Sequence, residues 1–312
     1  MILQLDGKLS FPGSNGRNCD SVLLNDSAGQ FAQNVNRHHF LFSHSLKDHA
    51  LFDLGSLIEL AKRPFHQEPY WSNGGVYVTD PWGINRGRRL TLIDTIANIA
   101  ENNSIVILKH VQNDPVYGKI FLELLTQFVE LSGKTLQNEA VIGEVLILIS
   151  SPNRITSYHM DAECNFLVQA VGSKTIWVYD QTDRTLVSYE ARERYHMGNY
   201  NSISYEEDRQ CDACSYELPA GYGVHIPVFA PHWVRNHDNV SVALSVNYEL
   251  RPMLTERRIY RVNGVLRKLG AIPTPPGVSA WRDRVKLAAS NALYAAKHVL
   301  RPKRKYPLWK PQ

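Results

Sequence analysis

The stretch Thr156-Ser-Tyr-His-Met-Asp-Ala-Glu-Cys-Asn165, which continues as Phe-Leu-Val-Gln-Ala-Val-Gly-Ser-Lys174, decides the fold expected for this chain. His159 and Asp161 lie at its centre, with one residue between them. Residues i and i+2 of a β-strand point to the same face, so this imidazole and this carboxylate can bind one metal ion. The pair therefore predicts a metal site that is carried by a strand.

A third ligand is available farther along the chain. Ile226-Pro-Val-Phe-Ala-Pro-His232-Trp places a histidine shortly after an Ile-Pro strand start. Two histidines and one carboxylate cover one face of an octahedron and leave the other positions open, as in non-haem Fe(II) oxygenases. The same donor set could hold Zn or Mn for isomerase chemistry, but a facial set with a carboxylate favours Fe(II).

The residues around these ligands follow the period of β-strands. Apolar runs predict strands, with Val-Gly-Ser joining the second and third as a hairpin; they cover residues 141–150, 165–170, 174–179, 216–218, 223–227, 233–236 and 241–248. Small and polar residues share one face of the last strand, ending at Asn247, and leave room for a dicarboxylate. The whole predicts a mainly β fold, a double-stranded β-helix or jelly-roll.

One irregularity is required inside the first ligand strand. Thr156 and His159 differ by three positions, so a regular strand would place them on opposite faces. If both face one pocket, a bulge or turn must occur near Ser157.

Helices are predicted on both sides of this core, which spans about residues 140–250. The clearest runs over residues 114–133, with Asp114 as cap and Gly133 as stop. Shorter helices are expected near residues 52–63 and 90–101, and longer ones over 254–270 and from Ser279 onward. We expect an extended segment over 1–40, an oxygenase-type domain over 41–250 and a basic helical region over 251–312.

The ligand pattern resembles that of the cupin-like, Jumonji-C-type 2-oxoglutarate oxygenases. Its motif spacing is most similar to that of the asparaginyl hydroxylase acting on hypoxia-inducible factor. Thr156 stands three residues before His159 and Lys174 fifteen after it, where that family holds the distal carboxylate of 2-oxoglutarate. Asn165 and Asn247 stand where the family has asparagines lining the co-substrate site. The resemblance covers roughly residues 140 to 250.

This resemblance implies a chemistry and a set of co-substrates. His159, Asp161 and His232 would hold Fe(II), and 2-oxoglutarate would bind beside it with O₂ as oxidant. The expected outcome is hydroxylation of a C–H bond with release of succinate and CO₂, and ascorbate would stimulate it. Family members often carry Gly-Asp before the Ile-Pro strand, whereas this chain reads Gly221-Tyr-Gly-Val-His-Ile-Pro227, which affects the local turn but no ligand.

The prime substrate stays open at this level. By resemblance, a peptide or protein side chain is the first choice, followed by a natural-product scaffold, a tRNA base and a methylated histone. A different class is a cupin barrel that binds or regulates without catalysis. Residues 181–215 form a long insert, expected to be either a functional lid or a solvated loop. Trp71, Tyr77 and Trp233 are candidate substrate-side aromatics.

The composition restricts the class of protein and its expected location. The chain has 312 residues, 44% hydrophobic and 21% charged, as in ordinary globular proteins. No apolar run reaches the length of a membrane span, and the first residues lack the features of a secretory signal. Four cysteines are too few for a disulfide framework, which favours a cytoplasmic location. Cys211-Asp-Ala-Cys214 lacks the partners of a zinc or redox site and is interpreted as two loop thiols.

Charge is distributed unevenly. Residues 251–312 contain fifteen basic and two acidic residues, while the rest contains nineteen and twenty-eight, so the two parts carry +13 and −9. The basic part predicts an acidic partner, RNA or a membrane surface. The resemblance adds a homodimer formed through the C-terminal helices.

Overall fold

The computed structural model describes residues 24–26, 28–63, 69–133, 136 and 139–300. The expectations for residues 1–23, for Cys19 and for the basic tail 301–306 fall outside the described residues. Among the described residues, no helix is long and apolar enough to cross a bilayer.

Two antiparallel sheets form the core. The larger contains eight strands in the order β1-β2-β10-β7-β12-β5-β4-β3, which are β1 Leu24–Asn25, β2 Phe40–His44, β3 Tyr70–Asn73, β4 Ser104–Leu108, β5 Ala140–Ser150, β7 Cys164–Val171, β10 Tyr222–Ile226 and β12 Ser241–Leu250. The smaller has the order β6-β11-β8-β9, which are β6 Ile155–His159, β8 Ser173–Val178, β9 Cys214–Pro219 and β11 His232–Asn236. This arrangement confirms the predicted jelly-roll with flanking helices.

The hairpin predicted across Val-Gly-Ser is wrong. β7 pairs with β10 on one edge and with β12 on the other, so neither edge is free for β8. β8 instead pairs with β11 and β9 in the smaller sheet. Gly172, with φ +72°, turns the chain from one sheet to the other. A short turn between two strands shows that the chain reverses, but it does not show that the strands pair.

The two faces of β7 contribute to different interiors. On the side of the smaller sheet, Leu167 packs with Ile176, Val224 and Ala243. On the opposite side, Phe166 stacks on Phe128 at 4.0 Å between ring centroids. The alternation of side chains along one strand therefore supplies both the barrel interior and a second core behind the larger sheet.

The second core is a cluster of phenylalanines that includes the N-terminal part of the described chain. Helix α1, Gln30–Asn34, carries Phe31, which is fully buried. Its ring lies 5.0 Å from Phe40 and 5.6 Å from Phe166. Within the segment expected to be extended over 1–40, residues 24–26 and 28–40 thus contain β1, α1 and a central core residue.

The predicted N-terminal helices are present with shorter bounds. They are α2 Leu54–Ala61, α3 Leu92–Ala97 and α4 Tyr117–Ser132. Asp114 accepts hydrogen bonds from the backbone N–H groups of Val116 and Tyr117, which have no partner inside the helix. The Arg63 guanidinium pairs with the same carboxylate at 2.7 Å. Gly133, with φ +66°, ends α4 as the sequence indicates.

The chain packs into two compact units. Of the described residues, the first unit comprises those up to 188 together with 200–251, and the second comprises 189–199 together with 252–300. The second contains α5 Tyr189–His196, α6 Arg251–Lys268 and α7 Ala280–Leu300. Inside it, Arg267 donates to the buried Glu193 carboxylate at 2.6 Å. The insert over 181–215 thus contains a helix, and a function as a lid stays a prediction.

Candidate metal centre and its cavity

The three predicted metal ligands meet where β6 and β11 pair. His232 lies directly opposite His159 in the register of these two strands. Asp161 follows β6, and its carbonyl oxygen accepts a hydrogen bond from Phe229 N–H at 2.7 Å. This bond ties the segment after β6 to the segment before β11. Strand pairing therefore brings together ligands that are far apart in sequence.

The donor atoms are close enough to share one cation. The Asp161 Oδ2 atom lies 3.6 Å from Nε2 of His159 and 3.8 Å from Nε2 of His232. One donor atom from each of the three residues lies within 4.8 Å of the others. No other group of three such side chains is found in the part of the chain that the structure describes.

Backbone hydrogen bonds orient both imidazoles. Nδ1 of His159 donates to the carbonyl of Ser157 at 2.7 Å, and Nδ1 of His232 donates to that of Ala230 at 3.0 Å. Each ring therefore offers Nε2, the free lone pair that a metal takes. Burial, together with the neighbouring His232, lowers the pKa of His159 to about 4. The neutral form that binds a metal is thus the form present at pH 7, and the donor set fits Fe(II).

The bulge required by the sequence is present in β6. His159 pairs with His232, whereas Thr156 pairs with Val234, so three steps along β6 match two steps along β11. The additional residue lets both Thr156 and His159 face the same side. This register shift confirms the expectation of an irregularity near Ser157.

One cavity contains all seven residues singled out from the sequence. Its volume is about 190 Å³, and its walls include Thr156, His159, Asp161, Asn165, Lys174, His232 and Asn247. The metal donors and the co-substrate residues therefore line one space between the two sheets. Their individual roles stay predictions.

Lys174 is the unusual group in this cavity. Its side chain is buried, with 3% exposure, and no ion pair or hydrogen bond to a described residue engages its ammonium. Burial lowers its pKa to about 8, so the amine is still largely protonated at pH 7. An unpaired buried charge is costly and calls for an anion. A carboxylate of 2-oxoglutarate fits this requirement.

An amide network forms part of the same wall. Asn165 Nδ2 donates to Ser245 Oγ and to Asn247 Oδ1, each at 2.6 Å. Asn247 Nδ2 donates to the carbonyl of Glu144 at 3.1 Å. Small polar side chains at Ser245 and Asn247 of β12 do face the cavity, as the alternation in the sequence predicts.

The sequence analysis missed Trp82. Its ring stacks on His159 with 3.9 Å between centroids and 4° between planes. Trp82 follows Pro81 in the loop between β3 and α3, where no periodicity marks it. The candidate aromatics lie elsewhere: Trp233 stacks on Trp177 at 3.8 Å, Trp71 lies under Arg88, and Tyr77 is 70% exposed.

The two cysteines considered from the sequence and one further histidine, His225, do not belong to this donor set. Cys211 and Cys214 are exposed free thiols, but Cys211 lies in the 3-10 helix Glu207–Asp212 and Cys214 begins β9, so the prediction that both lie in a loop is wrong. His225 precedes the Ile-Pro strand end but uses both ring nitrogens within the protein. Nδ1 donates to the Asn165 carbonyl at 3.0 Å, and Nε2 accepts from Asn36 N–H at 3.0 Å.

Comparison with known proteins places this architecture among solved structures. No protein-family model matches the chain, and no curated protein matches its sequence. The X-ray structure of Escherichia coli YcfD is 15% identical over 90% of this chain and 69% of that chain, with a TM-score of 0.50. A complex of ribosomal oxygenase YcfD with cobalt and 2-oxoglutarate is 14% identical over 90% and 68%, with a TM-score of 0.49.

A likeness at this level of identity shows a common fold. The topology, the register of β6 with β11 and the donor set were all established from the chain itself. The chain therefore shares the jelly-roll fold of YcfD, with a two-histidine, one-carboxylate donor set inside it.

Proposed function

We propose that this chain is an Fe(II)- and 2-oxoglutarate-dependent dioxygenase that hydroxylates an unactivated C–H bond. One observation carries the proposal: a single cavity holds both a facial donor set for a metal and a buried ammonium that pairs with none of the described residues. A dicarboxylate that chelates the metal at one end and meets the ammonium at the other satisfies both. A purely binding barrel has no need for this pair of features.

The protein residues divide the work of binding and orientation. His159, Asp161 and His232 would hold Fe(II), which together with 2-oxoglutarate and O₂ supplies the oxidising power for hydroxylation and yields succinate and CO₂. Lys174 would pair with the far carboxylate in a charge-assisted hydrogen bond, and Thr156 would add a second one. Burial of His159, His232 and Lys174 keeps water from these groups and strengthens their contacts.

We propose a peptide or protein side chain as the prime substrate. The motif spacing supports this choice through its similarity to an asparaginyl hydroxylase. YcfD, one of the proteins with which the chain shares its fold, is a ribosomal oxygenase. The chain before Arg251 carries a net charge of −9, which disfavours a polyanion such as tRNA at the cavity.

Assembly and location are further proposals. On α7, Trp281 and Val285 are 65% and 58% exposed, which supports the use of this helix in a homodimer. The basic residues of 251–312 would serve an acidic partner or RNA. The three described cysteines are free, which is consistent with a reducing, cytoplasmic setting.

The test is turnover of 2-oxoglutarate to succinate under air with Fe(II) and ascorbate. We compare the native chain with His159→Ala and Asp161→Ala, and use His237→Ala as control because that histidine lies outside the cavity with 39% exposure. We expect succinate from the native chain and the control, and at least about a hundredfold loss in both cavity variants, since each removes a metal ligand.

Binding separates a silent enzyme from a binding protein. Some oxygenases release no succinate without a prime substrate, so calorimetry measures 2-oxoglutarate binding to the Fe(II)-loaded chain under argon. Absence of binding in the native chain would overturn the proposal and favour the non-catalytic barrel.

A further inference from the structure

A second cavity adjoins the metal cavity in the first unit. Its volume is about 270 Å³, larger than the space that contains the metal donors. Six residues line both spaces: Trp82, Ile105, Ile107, Glu144, Leu146 and Thr156. The two cavities are therefore neighbours that share a wall, and a molecule in the second lies one side chain away from the metal donors.

The wall that belongs to the second cavity alone contains the aliphatic side chains Val76, Ile84 and Ile155 together with Tyr70, Gly83, Lys109, Arg154 and Ser157. Three charged side chains also line this cavity, Lys109, Glu144 and Arg154, and each is already engaged by the protein. Glu144 pairs with His110 at 3.2 Å, and Arg154 donates to the backbone carbonyls of Gly74 and Asn103. What remains available for recognition is apolar surface. An apolar concavity beside polar reactive groups is the usual form of a substrate pocket.

Trp82 separates the two spaces and is held in place. Asn201, from the insert, accepts a hydrogen bond from Trp82 N–H at 2.5 Å and donates to the Trp82 carbonyl at 3.4 Å. One side chain thus satisfies both backbone polar groups of the residue whose ring covers His159. Val76, Trp82 and Ile84 are half-buried, so the cavity opens toward the surface between them.

We propose that this apolar cavity is the pocket for an aliphatic or aromatic side chain of the prime substrate. The inference rests on the proposed function, since it assumes that a substrate carbon must reach the metal. A side chain in the cavity would anchor a peptide and present an adjoining carbon past Trp82 to the metal donors. The substrate class is then a protein segment with an apolar anchor beside the hydroxylated position.

Capped amino acids are the probes. Calorimetry measures binding of N-acetyl-leucine amide, N-acetyl-phenylalanine amide, N-acetyl-lysine amide and N-acetyl-aspartate amide to the full chain, loaded with Fe(II) and 2-oxoglutarate under argon. We expect the two apolar probes to bind about tenfold or more tightly than the two charged probes. The free energy gained by burying a leucine or phenylalanine side chain exceeds the free energy that corresponds to a tenfold ratio in affinity. The same calorimeter records 2-oxoglutarate binding alone.

The variants fill the cavity without touching the metal cavity. Ile84→Trp places a larger ring at a residue that lines only the apolar space, and Val76→Trp does so from another position if the first variant does not fold. Leu122→Trp is the control, because Leu122 is 53% exposed on α4. We expect the filling variants to lose about tenfold in apolar-probe binding and to keep 2-oxoglutarate binding within about twofold.

The outcomes are separable. Equal binding of apolar and charged probes, or undiminished binding in both filling variants, would overturn the pocket assignment while leaving the oxygenase proposal intact. Failure of the native chain to bind 2-oxoglutarate would instead remove the proposed function, whatever the probes show.

Discussion

Lys174 provides the most direct test of the site, because its buried charge destabilises the folded chain until an anionic ligand binds beside it. We consider Lys174→Met, which keeps a long flexible side chain and removes the ammonium. Burial lowers the lysine pKa from 10.5 to about 8. This change corresponds to roughly 3 kcal/mol of differential free energy between the two protonation states. In the ligand-free chain at pH 7, the methionine variant should therefore be more stable by up to about 3 kcal/mol.

The pH dependence has a definite sign. The pKa of Lys174 is lower in the folded than in the unfolded chain, so between about pH 8 and 10.5 the unfolded chain binds more protons. The contribution of Lys174 to the free energy of unfolding consequently rises with pH through that window. Lys174→Met lacks this contribution, so the stability difference between variant and native chain should shrink as pH rises from 8 to 10.

Ligand binding should reverse the order. A carboxylate beside Lys174 neutralises the ammonium, and in the variant the same carboxylate is buried without a partner. Loss of one member of such a pair costs about 2–5 kcal/mol, which is a loss of thirtyfold or more in 2-oxoglutarate affinity. Urea unfolding at pH 7 and pH 9.5, with and without 2-oxoglutarate and metal, measures both effects, with Lys119→Met as an exposed control. A variant that is less stable than the native chain, or that binds 2-oxoglutarate equally well, would refute the reasoning.

Two predictions concern the fold itself. Phe31→Ala should lower the free energy of unfolding by about 3–5 kcal/mol, because Phe31 is fully buried among aromatic rings; calorimetric melting measures it, and a loss below about 1 kcal/mol would contradict the packing. Gly172→Ala should be destabilising by about 2–4 kcal/mol, since its Cβ would lie 2.2 Å from Asn239 Oδ1 and from the Val240 carbonyl. Gly133→Ala has a similar φ of +66° with no atom within 4 Å, so it isolates the backbone strain, and equal losses in both would show that the contact at Gly172 is unimportant.

Local patterns in the sequence were sufficient for most of the core strands, but they did not indicate β1 or β2. His159 and Asp161 do lie close together, but Asp161 follows the end of β6, so strand alternation alone does not fix the position of its carboxylate. The bulge near Ser157 could be inferred because two residues had to face one cavity. That inference uses residues within one element, where strand geometry fixes the directions of side chains.

The pairing between elements could not be predicted from such local patterns. The sequence between β7 and β8 has the form of a hairpin, and only the occupied edges of β7 exclude that pairing. Trp82 is in an irregular loop, and its contact with His159 depends on a hydrogen bond to Asn201, which is distant in sequence. Phe31 belongs to a five-residue helix inside a polar segment, too short for periodicity to indicate burial.

The two faces of the larger sheet have different roles: one lines the metal cavity and the other packs a stabilising aromatic core. Along β7, Asn165 and Leu167 line the metal cavity, while Phe166 between them stacks on Phe128 in the phenylalanine core. The cavity side contains a buried unpaired ammonium and a strand bulge, both of which cost free energy, whereas the opposite side buries aromatic rings, which contribute it. Substitution of Lys174 should therefore change ligand binding and pH dependence in a chain that still folds, and Phe31→Ala should lower stability while the folded fraction keeps its affinity for 2-oxoglutarate. Loss of that affinity in folded Phe31→Ala would show that the two sides of the sheet are coupled.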